Sequence, residues 1–527
     1  MHRNTEKIAI IIGLLAMIIA PRIFDLDAFL TADEKRWVAN TNGFVMKLAA
    51  RQWDNLLQQP HPGITTQWFG APTIFSDSWT IRKLPLVLAQ SILVLLIGYI
   101  FWRLWGTLPA ILLTLLLGLN PPLVAHTRVY AMDSLLALFL LLSLGCLLTW
   151  KKYQQWQYLV FAAGAAAAAI LSKLPGILIL PFTLLFLLWH ALSTRRYRHT
   201  LRALALWSLI LLTSLVLILP SLATNTQNVI NEFRSFFDSD DYQELHQEEP
   251  TYYLRSLIFF STPLQLFSLV LLPLTAIWLY YRQVVPKTQI SRAEAIWLIL
   301  FGISFVAMMS QGLKKGDRYV LPAFLIWDTV VVITVWWLLT IIRHDVFQLT
   351  SLLRINKQAG DAPGDPTPKH HSSHLAANYL PTLWIGGVVL MLILQAATLW
   401  QLHPYALAYV NPLTKPFFGE RRLGWGEGLD LAALYLGAQP DSKHLKVAAY
   451  YPIEFSLHFP GEVVPAHQHE HESVDYIVLY RAMYERGPQA WETDVLQYYK
   501  DKTPEKVISL NGIEYVWIYS QSPSSHD

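Results

Sequence analysis

The chain has 527 residues, of which 54% are hydrophobic and only 15% charged, whereas a soluble domain carries about 25% charged residues. Together with a mean hydropathy of +0.34, this composition excludes an ordinary soluble protein, a disordered chain and a coiled coil, and it predicts a polytopic membrane protein. The formal net charge of +3 is too close to neutral to indicate a nucleic-acid partner, and the single cysteine, Cys146, cannot form an intramolecular disulfide.

Hydrophobic runs long enough to cross a bilayer recur along the chain. A spanning helix needs about 17–25 apolar residues, and eleven segments meet this condition. Basic residues precede the first segment, as in a signal peptide, but the bulky sequence Pro21-Arg22-Ile23-Phe24 offers no cleavage site and predicts an uncleaved anchor. The predicted spans are residues 8–24, 83–102, 107–125, 133–150, 156–172, 174–192, 203–223, 257–281, 293–311, 319–342 and 379–401.

The distribution of basic residues predicts the orientation of these spans, because cytoplasmic loops carry an excess of lysine and arginine. With the N-terminus in the cytoplasm, the cytoplasmic connections are basic and the long opposite loop, residues 224–256, is acidic. An odd number of spans then places the C-terminal tail on the external face of the cell membrane. The basic residues are Arg103, Lys151, Lys152, Arg195, Arg196, Arg198, Arg202, Arg282, Lys287, Arg292, Arg343, Arg354, Lys357 and Lys369.

Three further segments lie outside the spans. Residues 25–82 form an external loop that is rich in aromatic side chains, as interfacial helices are. Residues 343–378 contain several glycines and prolines and predict a flexible cytoplasmic linker. Residues 403–527 are hydrophilic, so the predicted organisation is a membrane domain over residues 1–402 and an external domain over residues 403–527.

The external tail has the pattern of a small α/β module. Leu429–Leu436 reads as a helix, and four short apolar runs read as strands. The chain shows no internal repeat, so it lacks the inverted-repeat signature of many transporters. The predicted strands are Lys446–Tyr451, Tyr476–Tyr480, Val507–Leu510 and Ile513–Tyr519.

The first candidate for chemistry is the acidic pair Asp33-Glu34, which follows the first span. Desolvation at the membrane edge can raise the pKa of a carboxylate and make it a general base. The alternative is an exposed acidic pair at the start of the following helix, preceded by Thr31, where acidic residues are common.

A second candidate is His126-Thr127-Arg128 with Asp133, at the external end of the third and fourth spans. An Arg–Asp pair that stabilises a short connection is the alternative interpretation. The span count places Asp33 on the same face, and two carboxylates with an arginine at the bilayer boundary suit a polar group carried on a lipid.

The third candidate is Lys314-Lys315-Gly316-Asp317-Arg318-Tyr319, on the external side between the ninth and tenth spans. Its cations run against the positive-inside trend, and arginine can bind a phosphate through two parallel hydrogen bonds. Lys173, at another external turn, is a fourth cation, or else an ordinary anchor at the interface.

Three weaker signals remain. His61-Pro62-Gly63 is either a structural turn, the favoured interpretation, or a turn that places an imidazole in the site. The alternating His467, His469 and His471 form a polar edge or, as the alternative, a metal site. Asp328 inside the tenth span is costly to bury and raises a transporter hypothesis, with a hydrogen-bonded structural pair as the alternative.

The order of these features resembles bacterial membrane glycosyltransferases of the GT-C class, similar to family 39 with its protein O-mannosyltransferase and aminoarabinose transferase relatives. The motifs that carry the resemblance cover most of the membrane part and the start of the tail. They are Asp33-Glu34, His61-Pro62-Gly63, Arg128 to Asp133, Lys173, Lys315 with Arg318-Tyr319-Val320-Leu321-Pro322, His403-Pro404-Tyr405 to Asn411-Pro412, and Gly424-Trp425-Gly426-Glu427-Gly428-Leu429.

The resemblance implies the GT-C fold and transfer of a sugar from a polyprenyl-phosphate carrier to a protein, glycolipid or glycan acceptor on the external face. It assigns Asp33 as the general base and Glu34 as the second member of the catalytic acidic pair, with Asp133 orienting the acceptor or a cation near the sugar. Lys315, Arg318, Tyr319 and Lys173 would bind the donor phosphate, and His61 and Arg128 would serve the acceptor or its loop. No cofactor is required; a divalent metal stays open, with Glu34 and His61 the first residues to test.

The chain departs from the family at His61-Pro62-Gly63, where relatives often carry His-Pro-Pro. This departure leaves the acceptor assignment open. Two other functions compete with the enzyme: a lipid or solute transporter, motivated by Asp328, and a scaffold that presents the external tail.

Overall fold

The computed structural model describes residues 2–521 except 58, 60, 239–250, 282–289, 313–314, 361–370, 418–423, 469–472 and 486–489. In the first half of the chain the helices are α1 (His2–Ile23), α2 (Glu34–Ala49), α3 (Ile64–Gly70), α4 (Trp79–Trp105), α5 (Thr107–Leu119), α6 (Pro121–Thr127), α7 (Asp133–Tyr153), α8 (Trp156–Ser172), α9 (Ile179–Thr194), α10 (Tyr197–Ile218), α11 (Ser221–Thr224), α12 (Thr226–Asp238) and α13 (Tyr252–Phe260). They continue with α14 (Pro263–Tyr281), α15 (Arg292–Ser310), α16 (Leu321–Gly360), α17 (His371–Leu402), α18 (Leu429–Gly437), α19 (Pro452–Ser456), α20 (Arg481–Glu485) and α21 (Ala490–Tyr499).

Within the described residues, eight helical segments are long and apolar enough to cross a membrane, and the bent pair α5–α6 makes a ninth. Two further predicted spans correspond to shorter apolar helices, Ile12–Ile23 and Trp156–Ser172. The polytopic helical architecture is therefore confirmed. The core of the bundle is built largely from α4, α5, α7, α8 and α16, and α7 is the most deeply buried of the spanning segments.

Two predicted spans have different bounds in the structure. The run predicted over 257–281 is interrupted at Ser261 and Thr262, so α13 ends before the span and α14 alone crosses the bundle. The run predicted over 203–223 ends at Leu219, where Pro220 starts a separate short turn. Apolar composition continues through both breaks, which is why hydropathy alone does not reveal them.

The bend between α5 and α6 brings a polar turn to one end of the bundle. The two helices meet at an angle of 59°. Asn120 lies at the break, where its side chain accepts a hydrogen bond from the Leu123 amide at 3.0 Å, and Pro121 occupies the first position of α6. Proline suits that position because its missing N–H would have no partner there.

The C-terminal residues form a mixed sheet flanked by α18–α21. The strands are β1 (Lys446–Ala449), β2 (Glu462–Pro465), β3 (Tyr476–Tyr480), β4 (Lys506–Leu510) and β5 (Ile513–Ser520), in the order β2-β1-β3-β5-β4. β1 pairs in parallel with β2 and β3, and β5 pairs antiparallel with β3 and β4. The predicted α/β module is confirmed, with β2 as an additional edge strand.

Candidate active site

A cavity of about 400 Å³ lies at one end of the helical bundle. Its walls come from the start of α2, the α6–α7 connection, the end of α8, the start of α16 and the segment that precedes α18. Predicted site residues that are far apart in sequence meet there. Those that line it are Asp33, His61, His126, Asp133, Lys173, Lys315, Gly316, Asp317, Arg318 and Tyr319.

Asp33 is the more accessible of the two aspartates. It occupies the position just before α2, and its side chain is 36% exposed. Its Oδ2 accepts hydrogen bonds from Nη2 of Arg318 at 3.0 Å and from Nε1 of Trp425 at 3.1 Å. The carboxylate is therefore fixed in orientation, yet it keeps a face toward the cavity.

Asp133 is buried at the first turn of α7 and is held by two cations. Its Oδ1 lies 2.6 Å from Nζ of Lys173, and its Oδ2 lies 3.9 Å from Nε of Arg318. The Lys173 ammonium also sits 3.9 Å from the centre of the Tyr319 ring, in a cation–π arrangement. Asp133 is thus a fixed negative charge at the base of the cavity.

Arg318 bridges the two carboxylates. It lies in the short 3₁₀ turn Asp317–Val320, directly before α16, and its guanidinium carbon is 3.9 Å from the centre of the Trp425 ring. A guanidinium carries five N–H donors in one plane, so it can hold two carboxylates and still face an anion. Lys315 lines the same wall; Lys314 lies outside the described residues.

The turn at His61 explains why this chain has glycine where relatives often have a second proline. Gly63 has a φ of +56°, and a Cβ there would lie 2.3 Å from an atom of the Trp37 ring. Its amide donates to the carbonyl of Ser172 at 3.1 Å, which ties the His61 loop to the turn that carries Lys173. Glycine is therefore required by the local geometry.

Glu34 is buried and lies outside the cavity lining, unlike its neighbour Asp33. Its Oε1 accepts from the Tyr130 amide at 2.7 Å and pairs with Nζ of Lys83 at 2.9 Å, while Oε2 accepts from the Thr31 amide at 2.8 Å. These bonds join the α1–α2 loop to the α6–α7 connection. Glu34 therefore holds the segment that carries Asp33, and its assignment to the catalytic pair stays a prediction.

Arg128 lies outside the cavity lining and contacts the loop that leads to Asp33, and its predicted role for the acceptor or its loop stays a prediction. Its guanidinium donates to the carbonyls of Phe24 and Asp25 at 2.8 Å and of Pro21 at 3.1 Å. Burial lowers its pKa to about 10, which still leaves it charged near neutral pH. These bonds hold the backbone that leads from α1 to Asp33. Asp133 does not pair with Arg128; its partners are Lys173 and Arg318.

Sequence reasoning did not assign Trp425 and Glu427 to the site, although both belong to a motif that carries the resemblance. Both line the cavity, and Trp425 contacts Asp33 and Arg318 directly. Arg36, on the first turn of α2, lines it as well. The glycines at 424, 426 and 428 all have positive φ. Because glycine adopts this conformation without a steric penalty, their repetition in the sequence was a signal that the backbone around Trp425 is unusual.

In the part of the chain that the structure describes, no group of three His, Cys, Asp or Glu side chains is arranged to hold a metal ion. His469 and His471 of the alternating histidines lie outside the described residues. Asp328 is fully buried and accepts hydrogen bonds from Asn120 at 3.0 Å and Gln265 at 2.8 Å, so it joins α16 to α14 and to the α5–α6 break.

The cavity lining is chemically mixed. It combines carboxylates and cations with the apolar side chains of Phe260, Leu321 and Phe324. Such a lining fits a ligand with an anionic group attached to a hydrocarbon, because the fixed cations can hold the anion while the apolar side chains contact the hydrocarbon.

Comparison with known proteins agrees with this architecture. Residues 64–223 match the family model described as dolichyl-phosphate-mannose-protein mannosyltransferase. No curated protein is significantly similar to the chain in sequence. Among solved structures, ArnT from Cupriavidus metallidurans bound to undecaprenyl phosphate is similar with a TM-score of 0.51 and 15% identity, over 98% of both chains.

The oligosaccharyltransferase AglB from Archaeoglobus fulgidus, solved with an inhibitory peptide and a dolichol-phosphate, is similar with a TM-score of 0.48 and 12% identity, over 92% of this chain and 70% of that one. The resemblance seen in the sequence motifs is confirmed by the family match and by the ArnT fold. The chain is a multi-pass membrane protein with the fold of the GT-C glycosyltransferases.

Proposed function

We propose that the protein transfers a hexose or pentose from a polyprenyl-phosphate carrier to an acceptor on a protein, glycolipid or glycan, with inversion at the anomeric carbon. The observation that carries this proposal is the partly exposed Asp33 carboxylate, held beside Arg318 in a cavity that also contains Lys173 and Lys315. The undecaprenyl phosphate bound to the similar ArnT structure and the dolichyl phosphate named in the family description support a lipid-phosphate donor.

In the proposed reaction Asp33 removes the proton of an acceptor hydroxyl as its oxygen attacks the anomeric carbon. The new glycosidic C–O bond forms while the bond from that carbon to the phosphate oxygen breaks, and the lipid phosphate leaves with the electron pair. Fixed positive charge stabilises the anion that develops. Lys315, Arg318 and Lys173 supply that charge, and Asp133 keeps Lys173 and Arg318 in place.

The transporter alternative loses its motivating observation. Asp328 is enclosed by two side-chain amides and is absent from the cavity lining, whereas the charged groups of the site gather at one end of the bundle. A buried carboxylate satisfied by amide donors is a structural arrangement.

The test of the proposal uses the purified protein in liposomes with a panel of radiolabelled polyprenyl-phosphate sugars and a cell-envelope extract as acceptor. We expect acceptor-dependent release of lipid phosphate from one donor, with the label recovered on the acceptor in inverted configuration. Uptake of a donor or another solute across the liposome membrane without release of lipid phosphate would overturn the proposal and favour the transporter.

We further propose that the N-terminus is cytoplasmic and that the site and the C-terminal sheet face outward. The basic residues Arg103, Lys151 and Arg195 lie at the ends of α4, α7 and α9, away from Asp33 and Asp133. Since Cys146 is buried, a single introduced cysteine reports accessibility cleanly.

We expect a Ser456→Cys variant to react with a membrane-impermeant maleimide in intact cells, because Ser456 is exposed on the C-terminal domain. A Ser193→Cys variant, exposed at the end of α9, is the matched control and should react only after permeabilisation. Labelling of Ser193→Cys but not Ser456→Cys in intact cells would reverse the proposed orientation.

A further inference from the structure

Trp425 reaches the site from the segment that follows the last span. It is 8% exposed, and its indole Nε1 donates to Oδ2 of Asp33 at 3.1 Å. The face of the same ring covers the Arg318 guanidinium at 3.9 Å. One side chain therefore contacts both members of the Asp33–Arg318 ion pair, and it fixes the direction in which the carboxylate faces the cavity.

The backbone around Trp425 is fixed to the loop between α1 and α2, which carries Asp33. The amide of Ala32 donates to the carbonyl of Trp425 at 2.9 Å. Gly426 follows with a φ of +131°, and a Cβ at this position would lie 2.2 Å from the carbonyl oxygen of Leu30. Glycine is therefore needed for the two segments to approach this closely.

The C-terminal sheet holds the other side of this segment. Tyr480, the last residue of β3, is fully buried, and its hydroxyl accepts a hydrogen bond from the Gly426 amide at 2.8 Å. The same hydroxyl lies 3.1 Å from the carbonyl of Glu427, to which it donates. Burial raises the pKa of Tyr480 well above its usual range, so it keeps the proton that this bond requires.

We propose that Trp425 is a positioning residue for Asp33, and that the C-terminal sheet completes the active site by holding Trp425 through Tyr480. This inference rests on the proposed glycosyl transfer and adds a role for a sheet that the sequence left without one. Tyr480 is not among the residues that line the cavity; the sheet sets the orientation of the base through two side chains, Tyr480 and Trp425, and the backbone of Gly426.

The first test is a Trp425→Phe variant, which keeps an aromatic ring next to Arg318 and removes the N–H donor. Loss of a hydrogen bond to a charged group, with some loss of alignment, predicts a fall in kcat of about 10- to 100-fold. KM for the polyprenyl-phosphate donor should stay within about twofold, because the cations that bind phosphate are unchanged. Trp400→Phe is the matched control, since Trp400 is 83% exposed on α17, and it should behave as wild type.

A second comparison separates positioning from general weakening of the fold. Asp33→Glu keeps a carboxylate but displaces it, so its alignment no longer depends on Trp425. The double variant Asp33→Glu/Trp425→Phe should then lose much less than the product of the two single losses, because interacting residues are not additive. If the loss of kcat in the double variant equals the product of the two single losses, the two residues act independently. Trp425 would then have a merely structural role, and the inference would be overturned.

The Tyr480→Phe variant tests whether the C-terminal sheet holds Trp425 in place. It also tests the inference if the Trp425→Phe variant does not fold. We expect a fall in kcat of about 3- to 30-fold with an unchanged KM, because the Gly426 amide loses its acceptor. Wild-type kcat in both folded variants, or equal changes in kcat and KM, would overturn the inference while the proposed function stands. Absence of turnover by the wild-type protein would instead overturn the proposed function, and the inference with it.

Discussion

Replacing Asp33 with asparagine is expected to reduce kcat by about 10²- to 10⁴-fold, the range that a positioned general base contributes. The amide has nearly the same size, and its oxygen can still accept from Arg318 and Trp425, but it cannot take up the acceptor proton. Binding of polyprenyl phosphate should persist, since Lys173 and Lys315 remain. The measurement is single-turnover release of lipid phosphate, with donor affinity determined separately.

Asp77→Asn is the matched control for this experiment. Asp77 is a fully exposed carboxylate that lies 4.0 Å from Arg82. It belongs to the connection between α3 and α4 and lies outside the cavity lining. Its substitution should leave turnover unchanged. Near-wild-type turnover by the Asp33→Asn variant would contradict the assignment of the base, and a complete loss in a folded Asp133→Asn variant would then move that role to Asp133.

The meeting of Asp33, Asp133, Lys173 and Arg318 could be anticipated from the sequence, although 285 positions separate Asp33 from Arg318. Asp133, Lys173 and Arg318 each lie at a predicted span boundary. Asp33 lies in the loop that follows the first span, and alternation of the spans places all four residues at the same membrane face. The number of spans and the position of each boundary are sufficient to predict that the four residues share one membrane face. The prediction does not require any knowledge of side-chain packing.

The sequence could not show in the same way that Asp33 faces the cavity whereas Glu34 is buried outside it. Adjacent residues at a helix start point in directions about 100° apart, as the helical repeat of 3.6 residues requires. One of them must turn away from the cavity, and which one does so depends on Lys83 and Tyr130, from distant parts of the chain. The contribution of Trp425 depends likewise on how the C-terminal sheet docks, which no local pattern encodes.

The strands of the C-terminal domain show a related limit. β3 and β5 have apolar runs long enough to be recognised, and both were predicted. β2, Glu462–Pro465, has only four residues at the edge of the sheet, and it ends in proline. Its pairing with β1 is parallel and depends on the intervening helix α19, so its short sequence gives little indication of a strand.

The second large effect concerns stability. Replacing Lys83 with methionine leaves the Glu34 carboxylate, which is fully buried, without its cation. Breaking a buried ion pair from one side costs about 3–5 kcal/mol, because the remaining charge keeps its desolvation penalty. We expect a clear fall in the unfolding midpoint in detergent. Lys35→Met, which changes a partly exposed lysine next to Glu34, should cost about 1 kcal/mol or less.

The double variant Glu34→Gln/Lys83→Met distinguishes a buried charge from a lost contact. Glutamine keeps an oxygen that can accept from the Tyr130 amide but loses the acceptor for the Thr31 amide, and methionine fills the space of the lysine stem without a charge. With both charges removed, no ion is left unpaired, so the double variant should be more stable than Lys83→Met alone, by about 1–3 kcal/mol. Its turnover should also exceed one tenth of the wild-type value, because Glu34 holds the loop that carries Asp33 but does not reach the substrate. Loss of turnover in a double variant of wild-type stability would support the assignment of Glu34 to the catalytic pair.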